Sequence, residues 1–325
     1  MTNKQILSFL KKHHKVALFA HENPDADACG SVFGFQELCK NFNVEADVFF
    51  DKREANFLDE IFPMNEAKDE FSASDYDLIV LLDVYQFDRV DINKKYLEEL
   101  EKVKDVLIID HHMVAENFVL PSKNFRIIKK ASCCQLVADL FEEAELKISP
   151  VAATYLYAGL VGDTARFLHN NLSEEVFDCA KMLQKAGADI QKVYNFMFRY
   201  KTLSQIRVNK LYLKSLKFLC NGQFAYWIVT QKDLKKNHAN YDDFKTFANE
   251  ITNIKGVNIG FFCFEVRKNY YKFALRCLDS FNVNKFCVKH DGGGHVCASG
   301  FRKEITKKQL KKMLPIWAEE IVNDK

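Results

Sequence analysis

The 325-residue sequence has 10 cysteines but no Cys-x-x-Cys pair; only Cys133 and Cys134 are adjacent. That argues against a structural zinc site, which gathers its thiolates in such pairs. No apolar run reaches the length that spans a bilayer. The opening MTNKQILSFLKKHHK lacks the long apolar core and small-residue cleavage site of a secretory signal. The expectation is a cytoplasmic protein with reduced, mostly buried thiols and no membrane partner. There is no internal repeat and no low-complexity tract. Net charge is also nearly absent, at +2 with a pI of about 7.9, which taken whole points away from a nucleic-acid protein.

What is present is a globular composition, 48% hydrophobic and 28% charged, with 29 Phe scattered as core material. The charge is unevenly spread. Residues 1–190 hold 21 Lys+Arg against 33 Asp+Glu, a net of −12, and residues 191–325 hold 25 against 11, a net of +14. Two domains with different electrostatic tasks are expected, against the plainer alternative of solvated surfaces that merely differ.

In the acidic half, VALFA (16–20), VEADVFF (44–50), LIVLL (78–82) and VLII (106–109) read as strands, with a helix through Cys29–Phe42 and a Lys/Glu-rich helix before the fourth strand. Such runs separated by helices predict a doubly wound, mostly parallel sheet covered on both faces. Three further helices follow over 132–144, 149–162 and 173–187, with Ser149 and Ser173 as caps and Gly187 as a stop. A helical connector is expected over 189–215. In the basic half, FAYWIVT (224–230), VNIGFFCFEV (257–266) and YYKFALRC (270–277), flanked by helices near 241–253 and 304–322, predict a smaller mixed-sheet α/β domain.

Each trusted strand of the first half runs into a metal-ligating residue: His21, Asp83, and Asp110-His111-His112. Sites in open parallel sheets lie beyond the carboxyl ends of the strands. HENPDAD adds Asp25 and Asp27, and LVGDTARF adds Asp163, where Gly162 eases a helix end. A lone Asp after a strand is ordinarily a turn or cap residue. Four carboxylates at one rim, however, repel each other unless cations neutralise them. Two divalent ions meet that need. The Asp/His set favours Mn²⁺, with Mg²⁺, Fe²⁺ or Co²⁺ as alternatives, and paired metals are standard for phosphoester hydrolysis. His13 and His14 read as solvated surface; His169, His238 and His290 receive no role. In the basic half, Gly292, Gly293 and Gly294, followed by His295, allow close approach of an anion to the backbone, and Arg276 is a charge needing a partner.

These same segments resemble the DHH phosphoesterase superfamily. HENPDADACGS resembles its first motif, Asp83 stands at its second, Asp110-His111-His112 is the motif that names it, and GDT with Arg166-Phe167 resembles its fourth. GGGH at 292–295 resembles the signature of the accompanying DHHA1 domain. The order and length are similar to the nanoRNase / pAp-phosphatase branch. The resemblance implies a DHH catalytic domain over 1–188, a connector over 189–215 and a DHHA1 substrate-binding domain over 216–325. It implies one metal held by His21, Asp25 and Asp83, and a second by Asp27, Asp83, His111 and Asp163. His112 would face the substrate phosphate or attacking water, and Asp110 would orient the His pair. Arg276, His295 and the glycine backbone would bind the phosphate or terminal nucleotide. Ala274 and Cys277 stand near Arg276 where relatives often carry serines, which bears on substrate preference.

The expected activity is hydrolysis by a two-metal-activated hydroxide. The substrates would be short oligonucleotides cleaved to 5′-mononucleotides, or 3′-phosphoadenosine-5′-phosphate (pAp) cleaved to AMP and phosphate. The nearest rival is a cyclic dinucleotide (c-di-AMP) or pNpN phosphodiesterase. A rival of another class is a non-catalytic nucleotide-binding module, disfavoured because the whole ligand set is present. Relatives include homodimers, but no segment here demands one.

Overall fold

The Val/Ile/Leu runs of the acidic half pair side by side. In the computed structural model, which describes residues 1–51, 57–114, 118–168, 170–241, 243–244, 247–278 and 280–324, the chain divides into Met1–Tyr200 and Lys201–Lys325. His169 lies outside the described residues.

The first unit contains α1 (Asn3–Leu10), β1 (Lys15–Phe19), α2 (Ala26–Lys40), β2 (Glu45–Phe49), β3 (Leu78–Leu82), α3 (Leu97–Leu100), β4 (Asp105–Asp110), β5 (Asn124–Ile127), α4 (Cys133–Glu143), α5 (Pro150–Asp163), α6 (Glu174–Lys185) and α7 (Ile190–Tyr194). Its sheet is all parallel, in the order β2-β1-β3-β4-β5. All of LIVLL in central β3 is buried, as a strand covered on both faces requires. On one face α2, α4 and α5 pack over Val16, Leu18, Leu107 and Ile109. On the other, Phe19, Phe49, Phe71 and Tyr76 stack edge to face.

Several expectations are corrected. The Lys/Glu-rich stretch before β4 forms only the single turn α3 and isolated 3₁₀ turns. Just upstream, tertiary bonds tie the chain to the end of β1: Arg89 C=O accepts from Glu22 N–H at 2.7 Å, and Asp91 N–H donates to Ala20 C=O at 2.9 Å. Strand β5 has no apolar signature, being a short edge of partly exposed residues. Ser149 caps α5 through its hydroxyl, whereas Ser173 occupies the cap position of α6 without a side-chain bond. Gly187 takes a φ of +93°, the left-handed stop expected. Gly162 is the penultimate residue of α5, at the helix end as expected. His13 is buried, its Nε2 3.2 Å from Asp105 Oδ2, while His14 is exposed as expected. The 189–215 stretch is helical but broken: α7 runs into a π-helical turn over Asn195–Arg199, and a new helix begins after Thr202.

The second unit contains α8 (Leu203–Ser215), β6 (Lys217–Leu219), β7 (Phe224–Val229), α9 (Gln231–Asn237), α10 (Phe247–Thr252), β8 (Ile259–Arg267), β9 (Tyr270–Cys277), α11 (Val283–Val288), β10 (Gly293–His295), β11 (Ala298–Glu304) and α12 (Lys307–Asn323). Its six-stranded sheet runs β10-β11-β9-β8-β7-β6, with only β7 and β8 parallel. One face buries Phe261, Phe273 and Phe301 against Trp317 of α12; His290 stacks on Phe301 at 4.9 Å as part of that core. Trp227 packs with Phe244 and Phe247 on the other. His238 takes a left-handed conformation at the end of α9. Among the described residues no helix is long and apolar enough to cross a membrane.

Close approach of α2, α4 and α5 depends on glycine. A Cβ on Gly159 would lie 2.2 Å from Cys134 Sγ and 2.8 Å from Asp27 Oδ1. Gly159→Ala is therefore expected to destabilise the first unit by about 1–3 kcal/mol through overpacking. Urea denaturation checks this; an unchanged midpoint would show that the helices separate freely.

Candidate metal centre

The parallel topology delivers side chains to one rim. His21 follows β1, Asp83 follows β3, and Asp110 ends β4 with His111 and His112 beyond it. Asp25 caps α2, its Oδ1 accepting from the N–H groups of Asp27 (2.9 Å) and Ala28 (3.1 Å). It thus serves as the cap that a lone Asp after a strand suggests, while its carboxylate also borders the site. Asp27 sits in the first turn of α2, and Asp163 is the last residue of α5.

These residues meet. His21 Nε2 lies 3.3 Å from Asp83 Oδ2 and 3.9 Å from Asp25 Oδ1. His111 Nε2 lies 3.2 Å from Asp163 Oδ2, 3.3 Å from Asp83 Oδ1 and 3.7 Å from Asp27 Oδ2. Ligand atoms of His21, Asp25 and Asp83 fall within 4.8 Å of one another, as do those of Asp27, His111 and Asp163. A third such group joins Asp83, Asp110, His111 and His112. Asp83 therefore borders both neighbouring clusters.

Backbone groups aim the side chains. His21 Nδ1 pairs with Glu22 C=O at 2.9 Å and His111 Nδ1 with Lys130 C=O at 3.2 Å, which leaves each Nε2 facing the carboxylates. Asp110 Oδ1 accepts from the N–H groups of His111 (2.7 Å) and His112 (3.1 Å) and pairs with His112 Nδ1 at 2.8 Å. Asp27 is gripped by the start of α4: Cys133 N–H donates to Oδ2 at 2.6 Å and Cys134 N–H to Oδ1 at 2.9 Å. A helix N-terminus is a natural seat for an anion. Sequence reading missed these amides and the Lys130 carbonyl, because backbone groups leave no residue-type signature; Ser132, the cap of α4, was the available clue. The Cys133 thiol donates to Ile109 C=O at 3.3 Å and is no ligand to the site.

The electrostatics show a site built for added cations. Burial pushes the Asp27 carboxyl well above its usual range, and the charges of Asp83 and Asp163 push further. Burial alone would raise Asp83 too, yet the close imidazoles of His111 and His21 outweigh it and hold the group at about 2. Burial opposes protonation of His111 and His21, but their carboxylate neighbours raise them to about 12 and about 9. Asp83 Oδ1 and His111 Nε2 are buried without a hydrogen bond of acceptable geometry. Unsatisfied, inward-facing oxygen and nitrogen donors fit divalent cations, and the absence of thiolate suits the harder ions.

Backbone strain concentrates here. Asp83 adopts φ +60°, and Ala165, Arg166 and Phe167 form a run of left-handed residues at +46°, +65° and +62°. Thr164 pins that run, its Oγ1 donating to Leu160 C=O (2.7 Å) and accepting from Phe167 N–H (3.2 Å). Left-handed backbone costs about 1–2 kcal/mol per non-glycine residue.

In the second unit, Gly293–His295 is an edge strand rather than a bare turn. His295 lies opposite Ala298, and Ala298 opposite Arg276, which sets all three in a row on one face. Arg276 Nε donates to Asn249 Oδ1 at 2.7 Å, and burial lowers its pKa. A Cβ on Gly292 or Gly294 would strike the backbone of β11, at 2.3 Å from Gly300 O and 2.5 Å from Ala298 O, whereas one on Gly293 meets nothing within 4 Å.

Comparison with known proteins agrees with this chemistry. Residues 15–160 match the model of the DHH family, N-terminal domain. The chain is 30% identical to the bifunctional oligoribonuclease and PAP phosphatase NrnA of Mycoplasma genitalium, over 98% of this chain and 97% of that protein. It is 27% identical to the probable enzyme of that name in Streptococcus mutans, over 91% and 92% of the two chains. A solved exopolyphosphatase-related protein from Bacteroides fragilis shares the fold, with a TM-score of 0.86 at 21% identity, covering 98% of this chain and 95% of its own. Fold, site and relatives define a metal-dependent phosphoester hydrolase. The chain belongs to the DHH family, in its NrnA-like branch.

Ala165→Gly should stabilise the protein by about 1 kcal/mol by relieving one left-handed alanine. A melting temperature higher by roughly 2–4 °C is the expected reading; an unchanged or lower one would show that the turn carries no strain at Ala165.

Proposed function

We propose that the protein hydrolyses short oligonucleotides to 5′-mononucleotides and pAp to AMP and phosphate. The observation that carries this is the convergence of His21, Asp25, Asp27, Asp83, His111 and Asp163 on one sheet rim, in a chain aligned end to end with relatives named for those activities.

His21, Asp25 and Asp83 would hold one divalent cation, and Asp27, Asp83, His111 and Asp163 a second, with Asp83 common to both. Two such ions, Mn²⁺ first on donor chemistry, supply an acidified water and neutralise charge on the phosphoryl oxygens. The chain's own groups do the rest. Asp110 holds His112 by its Nδ1 at 2.8 Å, leaving the other face of a half-exposed imidazole toward the reacting phosphate. The bond from His112 Nδ1 to the Asp110 carboxylate raises the His112 pKa, which favours the cationic ring where negative charge builds. Water oxygen bonds to phosphorus, the ester bond to the ribose oxygen breaks, and that oxygen takes a proton.

Arg276, His295 and the amides of Gly292–Gly294 would take the terminal phosphate. Three features support this: the shared sheet face, the absence of a carboxylate ion pair to Arg276 among the described residues, and the open space over Gly293. Packing explains the glycines at 292 and 294, but not the one at 293. A ligand that needs close approach does.

A turnover panel of pAp, pApA, longer RNA and cyclic di-AMP with Mn²⁺ tests the assignment against the cyclic-dinucleotide alternative. Asp83→Ala is expected to lower turnover by about 10³-fold or more, and near-normal metal-dependent activity in that variant would overturn the reading. Gly293→Val should raise KM while leaving the melting temperature near wild type. Unchanged KM would remove Gly293 from the substrate site.

A further inference from the structure

Arg276 is not the only cation on its sheet face. Alternation along β9 sets Lys272, Ala274 and Arg276 on one side, and along β11 the same side carries Ala298, Gly300 and Arg302. The register places Arg302 directly opposite Lys272. Like charges directly opposite in an antiparallel pair destabilise it. Among the described residues, no carboxylate lies within the 4.0 Å ion-pair distance of Lys272, Arg302 or Arg276. Glu304, further along β11, stands opposite Tyr270 instead. Lys272 is held by Tyr241, its Nζ donating to the phenol oxygen at 2.9 Å and lying 5.0 Å from the ring centroid. Arg302 is exposed. Between these cations and Arg276, β9 and β11 themselves carry only Ala274, Ala298 and Gly300 on this face, with Tyr241 beside Lys272 and Asn249 beside Arg276.

A cross-strand pair of cations with no carboxylate partner among the described residues is relieved by an anion. We infer that Lys272 and Arg302 form a second phosphate-binding site for an oligonucleotide whose terminal phosphate is held at Arg276 and His295. This rests on the substrate reading above. Four residues of strand separate Lys272 from Arg276, roughly 13 Å. The two phosphates of a nucleoside bisphosphate, joined through one ribose, do not span that distance; a chain of several nucleotides does. The site therefore distinguishes substrates by length, adding affinity for oligonucleotides that pAp does not receive.

Arg302→Gln, Lys272→Gln and the double variant test this in two assays. The first compares KM for a five-nucleotide RNA with KM for pAp. The second measures binding of the labelled RNA to chelator-treated protein across a salt series, by fluorescence anisotropy. The ratio of the two KM values should rise roughly tenfold or more in Arg302→Gln, as expected when one charged hydrogen bond is removed. The slope of log K against log salt should shrink by about 0.7 for each phosphate-binding cation removed. Arg302→Lys should keep most of the slope. The inference falls if the slope is unchanged in the double variant, or if both KM values rise by the same factor. Should the wild type hydrolyse neither substrate, the functional reading fails and the salt slope alone decides the site.

Discussion

Mutual repulsion of carboxylates at the end of a parallel sheet governs the first unit. Asp27 and Asp83 are buried at 0% and 3% exposure, and Asp163 and Asp25 stand beside them. In a weakly polarisable interior such a group is stable only with positive charge interleaved. The fold provides it in layers: imidazoles between the carboxylates, the amides of Cys133 and Cys134 behind Asp27, and donors left unsatisfied where further charge can enter.

Much of this was legible in the residues, because strand interiors and strand ends carry different signals. LIVLL and VLII mark buried parallel strands by composition, and the polar residue that follows each marks the rim where the Asp/His groups gather. The parts that could not be read depend on partners distant in sequence. The stretch before β4 has helical composition, yet it follows a segment, Arg89–Asp91, that is tied to Glu22 and Ala20 near the end of β1. Strand β5 exists because β4 offers it an edge. His13 is buried because Asp105 waits some ninety residues away. The grip on Asp27 comes from main-chain amides, which are the same in every residue.

The division of charge has a counterpart in architecture. The acidic surplus lies largely in the unit whose carboxylates converge, and the basic surplus in the unit whose sheet face carries Arg276, Lys272 and Arg302. A near-neutral total thus joins an acidic unit to a basic one, and neither surplus appears in the isoelectric point.

The grip of α4 on Asp27 has a thermodynamic consequence. A ligand that binds only the folded chain stabilises it in proportion to the logarithm of its concentration. Because Asp27 is tied to the first turn of a core helix, ions drawn to that carboxylate would also brace α4 against the sheet. The melting point of the first unit would then serve as a gauge of the free divalent-ion level around it.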